Sequence, residues 1–174
     1  MLALSVVYSL VLGFLTWIIG VSAIGQDTCV SFKSSPSSFA VASGGSVAPL
    51  FLSSDEWPGV QRAASDFVSD IEKVTGRAPR LSNVTSAVKS STPPIIVGTL
   101  GKSSLIDAVV NRTQLDVSPV SGKWEAFLTR MVNNPLPGIS KAYLVIGADK
   151  RGTIFGMYDL SEQIGVSPWY WWVQ

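Results

Sequence analysis

The chain has no histidine and one cysteine, Cys29, in 174 residues. Those two absences remove much familiar catalytic chemistry. Without histidine there is no Ser-His-Asp or Cys-His nucleophile pair. One thiol without an imidazole leaves zinc short of its usual ligands. Nor can a lone thiol close an internal disulfide; its partner would have to lie outside this sequence. Charge is also scarce. Charged residues make up 14% of the chain and the net charge is +1. No basic stripe or patch runs along the sequence, which argues against nucleic acid as a partner. Phosphate-binding loops are missing as well. The segment Gly98-Thr99-Leu100-Gly101-Lys102-Ser103-Ser104 carries Gly-Lys-Ser, but only Thr99 and Leu100 separate its glycines, where a P-loop needs four residues. It reads as a tight strand-to-helix turn. No cofactor and no metal are expected, no internal repeat is visible, and nothing points to an oligomeric state.

What the chain does have is apolar residues, 47% of the total, too many for a disordered chain. Its length suits one domain. Met1 to Gln26 carry no charged side chain, and Val21-Ser22-Ala23 has small residues at the spacing of a signal-peptidase site. We read residues 1–23 as a secretory signal peptide cleaved near Ala23. The alternative is a membrane anchor, against which stand Gly13, Gly20 and the lack of a basic flank. Cleavage implies a secreted, extracellular protein with no membrane contact. Two N-x-[ST] sequons agree with that, Asn83-Val84-Thr85 and Asn111-Arg112-Thr113, so Asn83 and Asn111 are candidate glycan acceptors.

Residues 24–165 read as one mixed α/β domain. Phe39 to Ala42 and Val47 to Leu52, joined by Ser43-Gly44-Gly45-Ser46, suggest a β-hairpin. Pro49 would put its second strand at a sheet edge. Val60, Ala63, Ala64, Phe67, Val68, Ile71 and Val74 recur at helical spacing. Pro58 fits the first turn of that helix, Ser54 or Asp55 its cap, and Gly76 its end. Ile95-Ile96-Val97-Gly98 suits a strand buried on both faces. A second helix follows, capped by Ser103 or Ser104 and containing Leu105, Ile106, Val109 and Val110. Trp124 to Thr129 reads as a half-buried strand, Asn133 to Gly138 as a loop, and Ala142 to Gly147 as another buried strand. A final helix runs from Ile154 to Ile164. The order predicts a mixed sheet with helices packed on it.

Two places invite a functional reading. Asp149-Lys150-Arg151-Gly152-Thr153 joins a strand to a helix and gathers backbone N–H groups with two cations, so Lys150 and Arg151 are candidate anion-binding residues. The plainer alternative is a solvated turn. Beyond Gly165, Pro168-Trp169-Tyr170-Trp171-Trp172 is either a sugar-stacking platform or a strand entering a core this sequence lacks. The first option would make the chain a stand-alone secreted carbohydrate-binding module. The second makes residues 166–174 the start of a further domain.

The stretch from Ala148-Asp149-Lys150-Arg151-Gly152-Thr153 through Gly165-Val166-Ser167-Pro168-Trp169-Tyr170-Trp171-Trp172 resembles the end of the N-terminal domain of glycoside hydrolase family 115 (GH115), the xylan α-1,2-glucuronidases. Gln61-Arg62-Ala63-Ala64-Ser65-Asp66-Phe67, Val74-Thr75-Gly76 and Ile95-Ile96-Val97-Gly98-Thr99 are similar to that family too. The resemblance implies a non-catalytic mixed α/β domain ahead of a (β/α) barrel that begins at about Ser167. It also implies a hydrolase releasing glucuronic or 4-O-methylglucuronic acid from xylan, with glucuronoxylan oligosaccharides as partners of the full-length enzyme. Catalytic acid and base would lie in the barrel, so none is expected here and the chain alone should be inactive. By the same resemblance, Glu162 and Trp169 reach the sugar-binding pocket. Glu162 would bind substrate hydroxyls and Trp169 would wall the sugar ring. Alternatively, Glu162 is a solvated helix-end acid and Trp169 packs at the domain boundary.

Overall fold

The β-branched run at residues 95–99 forms a strand buried along its whole length, and it sits at the centre of the molecule. The structure, a computed structural model, describes residues 28–33, 35–84 and 92–167. The expected signal peptide and Trp169 lie outside the described residues. In chain order the elements are β1 (Ala42–Ser43), β2 (Ser46–Val47), β3 (Leu50–Ser53), α1 (Pro58–Thr75), β4 (Leu81–Val84), β5 (Ile95–Thr99), α2 (Ser104–Thr113), β6 (Phe127–Leu136), β7 (Ile139–Gly147) and α3 (Lys150–Gln163). The main sheet has five strands in the order β4-β3-β5-β7-β6. β3 runs parallel to β4 and to β5, and β5 parallel to β7. β6 closes one edge antiparallel to β7. The fold is therefore the expected mixed α/β sheet with packed helices.

Side chains alternate across the strands and build two cores. Leu50, Leu52, Ile95, Val97 and Val145 meet α1 and α3 on one face. Phe51, Ile96, Leu144 and Ile146 meet α2 on the other. Each fully buried aliphatic or aromatic side chain contributes roughly 1.5–3 kcal/mol relative to exposure. The stripe on α1 is buried at Val60, Ala63, Ala64, Phe67 and Ile71, while Val68 is half-buried and Val74, at the end of the helix, is 42% exposed. Gly76 ends that helix in the left-handed region at φ 72°, and its N–H donates to the Glu72 carbonyl.

Several local expectations are corrected. The hairpin shrinks to β1 and β2, whose ladder is only Ala42 opposite Val47 and Ser43 opposite Ser46. Leu50–Ser53 leaves it for the main sheet. Pro49 does not mark an edge, because β3 lies between β4 and β5. Proline stands just ahead of the ladder; its carbonyl accepts from Ile95 N–H at 2.8 Å, and Leu50 supplies the first N–H. The cap of α1 is Trp57, with no side-chain hydrogen bond, followed by Pro58. Ser54 and Asp55 lie too early in the chain. β4 had no expected counterpart; Leu81-Ser82-Asn83-Val84 has little apolar signal. β6 runs through Asn133 to Leu136, where a loop was expected, with a register shift between those two residues that accommodates Asn134 and Pro135. At its start, Trp124 stands outside the strand and is 80% exposed.

From β3 the chain crosses through α1 to β4 on one side. From β5 it crosses through α2 toward β6 and β7 on the other. The direction of winding therefore reverses between β3 and β5. α1, α2 and α3 all begin at the carboxyl edge of this sheet, where such folds place ligands.

Candidate functional site

Three strands end at that edge, at Ser53 of β3, Thr99 of β5 and Gly147 of β7, and the first two bring hydroxyl groups. Glu56 follows β3 and turns inward to become 3% exposed. Thr99 N–H donates to Glu56 Oε2 at 2.7 Å, and the Thr99 hydroxyl donates to Oε1 at 3.0 Å. Trp57 N–H, at the start of α1, donates to the same Oε1 at 3.0 Å. The Thr99 hydroxyl also lies 2.7 Å from the hydroxyl of Thr153, a buried residue in the first turn of α3. The chain of contacts thus ties the ends of β3 and β5 to α1 and α3.

Two more carboxylates occupy neighbouring helix starts. At α2, the Ser103 hydroxyl accepts from Ile106 N–H at 3.3 Å and Asp55 Oδ2 accepts from Ser104 N–H, also at 3.3 Å. The Ser53 hydroxyl, foremost, and the hydroxyl and N–H of Ser104 hold the Asp55 carboxyl below the usual range. At α3, Asp149 Oδ1 accepts from Gly152 N–H at 2.7 Å and Oδ2 from Glu125 N–H at 2.9 Å. The Glu125 N–H, then the Gly152 N–H, lower the Asp149 pKa.

Above these groups lies a cavity of 440 Å³, lined by Trp57, Thr99 to Lys102, and Ala148 to Lys150. Trp57 is 44% exposed, and Lys102 Nζ stands 4.9 Å from the centroid of its ring. The two cations singled out from the sequence part company here. Lys150 lines the cavity, whereas Arg151 pairs its Nε with Glu125 Oε1 at 3.1 Å and lies over the Phe155 ring. Backbone donors expected to serve an external anion are partly engaged by Asp149. Sequence reasoning missed Glu56, Trp57 and Lys102. Trp57 and Lys102 could have been found from Trp-Pro at a helix start and from a cation in a strand-to-helix turn. Glu56 carried no signal, because its partner Thr99 is remote in sequence.

Glu162 lies at the other end of α3, exposed. Twelve residues of helix separate it from Lys150, roughly 18 Å at 1.5 Å per residue. Its surroundings are a second polar group. Gln163 donates to Asp159 Oδ2 at 2.7 Å and accepts from Cys29 N–H at 2.8 Å. Cys29 Sγ lies 3.5 Å from the Tyr143 hydroxyl. Burial, more than the nearby Glu162 charge, raises the Asp159 pKa, and burial raises that of Tyr143. Val166 then packs against the core of α1 and α3, and the chain passes on toward Trp169, outside the described residues. Asn83 on β4 and Asn111 on α2 are both exposed. Among the described residues no group of histidine, cysteine or acidic side chains is arranged to hold a metal ion, and no helix is long and apolar enough to cross a membrane.

No family model matches the chain, and no curated protein does. A solved structure does. It is the family GH115 4-O-methyl-α-glucuronidase BtGH115A, with specificity for decorated arabinogalactans. The match covers 72% of this chain at 29% identity, with a TM-score of 0.52. It spans 14% of that protein's chain. This chain is thus similar in fold to a domain-sized part of a glycoside hydrolase.

Proposed function

We propose that this chain supplies the amino-terminal mixed α/β domain of a secreted α-glucuronidase, an enzyme that removes glucuronic or 4-O-methylglucuronic acid from a decorated polysaccharide. The observation that carries the reading is the likeness in fold to BtGH115A over 72% of this chain. The chemistry of the chain agrees with a supporting role. Asp55, Glu56 and Asp149, the carboxylates at its carboxyl edge, each accept hydrogen bonds from backbone N–H groups. A glycosidase acid and base must instead face a sugar from two sides. In this reading those two groups belong to a barrel elsewhere in a longer protein. Glu162 and the exit of the chain after α3 would then lie on the side that meets the barrel. Xylan is the substrate implied by the sequence resemblance; the solved neighbour's specificity for decorated arabinogalactans makes that polymer the second candidate. Secretion would expose Asn83 and Asn111 to glycosylation.

The test is immunodepletion. An antibody raised against this chain is applied to culture filtrate, and uronic acid release is assayed on 4-O-methylglucuronoxylan and on decorated arabinogalactan. The reading expects a deglycosylated band several times heavier than 18.5 kDa and loss of release from at least one polymer. A band no larger than this chain, with both activities left in the supernatant, refutes it. In that case sugar binding without catalysis becomes the working description.

A further inference from the structure

We infer that the cavity at the carboxyl edge of the sheet is a separate binding site for a carboxylate-bearing monosaccharide unit, with Trp57 as its stacking face and Lys102 and Lys150 as its cations. The location is where open α/β sheets bind ligands, outside the strand ends where the winding reverses. The volume, 440 Å³, lies in the range of small-molecule sites, roughly 300–1,000 Å³. The Trp57 indole is amphipathic and 44% exposed; Lys102 Nζ stands 4.9 Å from its centroid, so the C–H face of a pyranose would stack on the ring area that the ammonium leaves open.

Charge decides the ligand class. Among the described residues the ion pairs are Arg62–Asp66, Lys73–Asp70 and Arg151–Glu125, so neither Lys102 nor Lys150 is neutralised by a carboxylate. An anion entering the cavity therefore meets two ammonium groups and one carboxylate, Asp149, both of whose oxygens already accept from backbone N–H groups. Phosphate, the usual guest of this edge, gains little. Its affinity in such folds comes from N–H groups at helix starts, and here Asp55, Glu56 and Asp149 occupy donors at the three helix starts. A small anion could engage the two ammonium groups but would make no contact with the exposed part of the indole. A uronate uses both halves of the site. The choice of a uronate among carboxylates rests on the proposed α-glucuronidase reading. The site lies at the opposite end of α3 from Glu162, so it would hold a decorated chain beside the catalytic pocket rather than within it.

The experiment is a nuclear magnetic resonance titration of the full chain, following the indole N–H peak of Trp57, assigned from the Trp57→Phe variant. The probes are methyl α-D-glucuronoside, methyl α-D-glucoside and inorganic phosphate. The glucuronoside should move the peak with a dissociation constant on the order of 1 mM. Lys102→Gln and Lys150→Gln should each weaken it roughly two- to five-fold, as expected for an exposed charge pair. Lys150 is exposed and Lys102 half-buried, and an unchanged melting temperature checks that the variants fold. Equal binding of the glucoside, equal binding of phosphate, or no shift overturns the inference. If the peak stays still while the antibody depletes glucuronidase activity, the cavity assignment alone falls. If the glucuronoside binds but depletion fails, the chain is a uronate-binding module and the enzyme reading falls.

Discussion

Glu56→Ala should be among the most damaging single changes at the surface-facing edge of this domain. The wild-type carboxylate is 3% exposed and accepts from Thr99 N–H, the Thr99 hydroxyl and Trp57 N–H. The three lost bonds differ in consequence. Trp57 is partly exposed, so water can replace the carboxylate there. The Thr99 hydroxyl keeps Thr153 as a partner. Thr99 N–H, on a residue 3% exposed, keeps nothing. A buried donor left unsatisfied costs about 1–3 kcal/mol, and a bond to a charged acceptor is itself worth about 1.5–3 kcal/mol. These overlap, so the net loss is about 2–4 kcal/mol. At about 2–4 °C per kcal/mol for a chain of this size, the melting temperature should fall by about 5–15 °C. Glu56→Gln retains one carbonyl acceptor for Thr99 N–H and an amide N–H₂ that can donate to the Thr99 hydroxyl. It should cost about 1 kcal/mol. Thr99→Val, which removes only the hydroxyl bond, should fall near the Gln variant. Thermal unfolding followed by circular dichroism measures all three. An Ala variant within a degree of wild type, or a Gln variant worse than Ala, would refute the claim that these hydrogen bonds fasten the strand ends together.

Other consequences follow from the same edge and from α3. Gly152→Ala should abolish soluble folding, because a methyl group there would run into the Ala126 carbonyl; solubility at a normal melting temperature would contradict the close approach of α3 to the Glu125-Ala126 segment just ahead of β6. Asp149→Ala removes the α3 cap and should lower stability by about 1 kcal/mol, measured by urea unfolding. Because the folded-state pKa of Asp149 is depressed, its contribution is present above the unfolded value of about 4 and is lost as pH falls through the folded value. The melting temperature of Asp149→Asn should therefore drop less than wild type between pH 5 and pH 2; parallel curves would remove Asp149 from the acid response. In the proposed full-length glucuronidase, Glu162→Ala should reduce turnover at an unchanged melting temperature, since the side chain is exposed, and a wild-type rate would return Glu162 to a solvated helix end.

The parts of the fold legible in the sequence are those whose signal is local and periodic. The stripe from Val60 to Ile71 specifies α1 because one face must be buried, and Ile95-Ile96-Val97 specifies β5 because every position is. β4 was not legible. Leu81-Ser82-Asn83-Val84 is a strand because β3 offers it a parallel ladder, from Leu50 opposite Leu81 to Ser53 opposite Val84. That is information from another part of the chain. The same reason explains Leu50–Ser53, which read as one arm of a hairpin. Its neighbours, β4 and β5, arrive after long crossovers that local turn chemistry does not reveal. Asn133 to Leu136 shows the limit of composition. Asn-Asn-Pro is loop-like, yet a bulge lets the strand pass through it with Pro135 and Leu136 buried. Site residues divide in the same way. Lys150 and Arg151 were visible at a strand-to-helix junction, but which of them faces the cavity depends on Glu125, a residue from a different connection.

The two ends of α3 give the chain two chemically distinct regions, and rigidity keeps them apart. The helix is 14 residues long and is clamped on one side by α1 and on the other by β7. Met157 and Leu160 lock into the core shared with α1, and Gly156 lets the helix approach Val145 and Phe127 closely. Neither end can swing toward the other without dismantling that packing. A sugar contact by Glu162 and a sugar contact in the Lys102–Lys150 cavity would therefore be contacts with two different units of one polymer, or with two polymers. Short uronides should then fill one site without influencing the other. A decorated chain long enough to span roughly 18 Å could fill both, and joining two weak sites in this way raises the effective affinity without any new contact. If the proposed glucuronidase reading holds, removing the cavity cations should raise the KM of the full-length enzyme for polymer while leaving turnover of a short uronide unchanged. Equal loss on both substrates would mean that the cavity acts through the fold of the domain and not through the glycan.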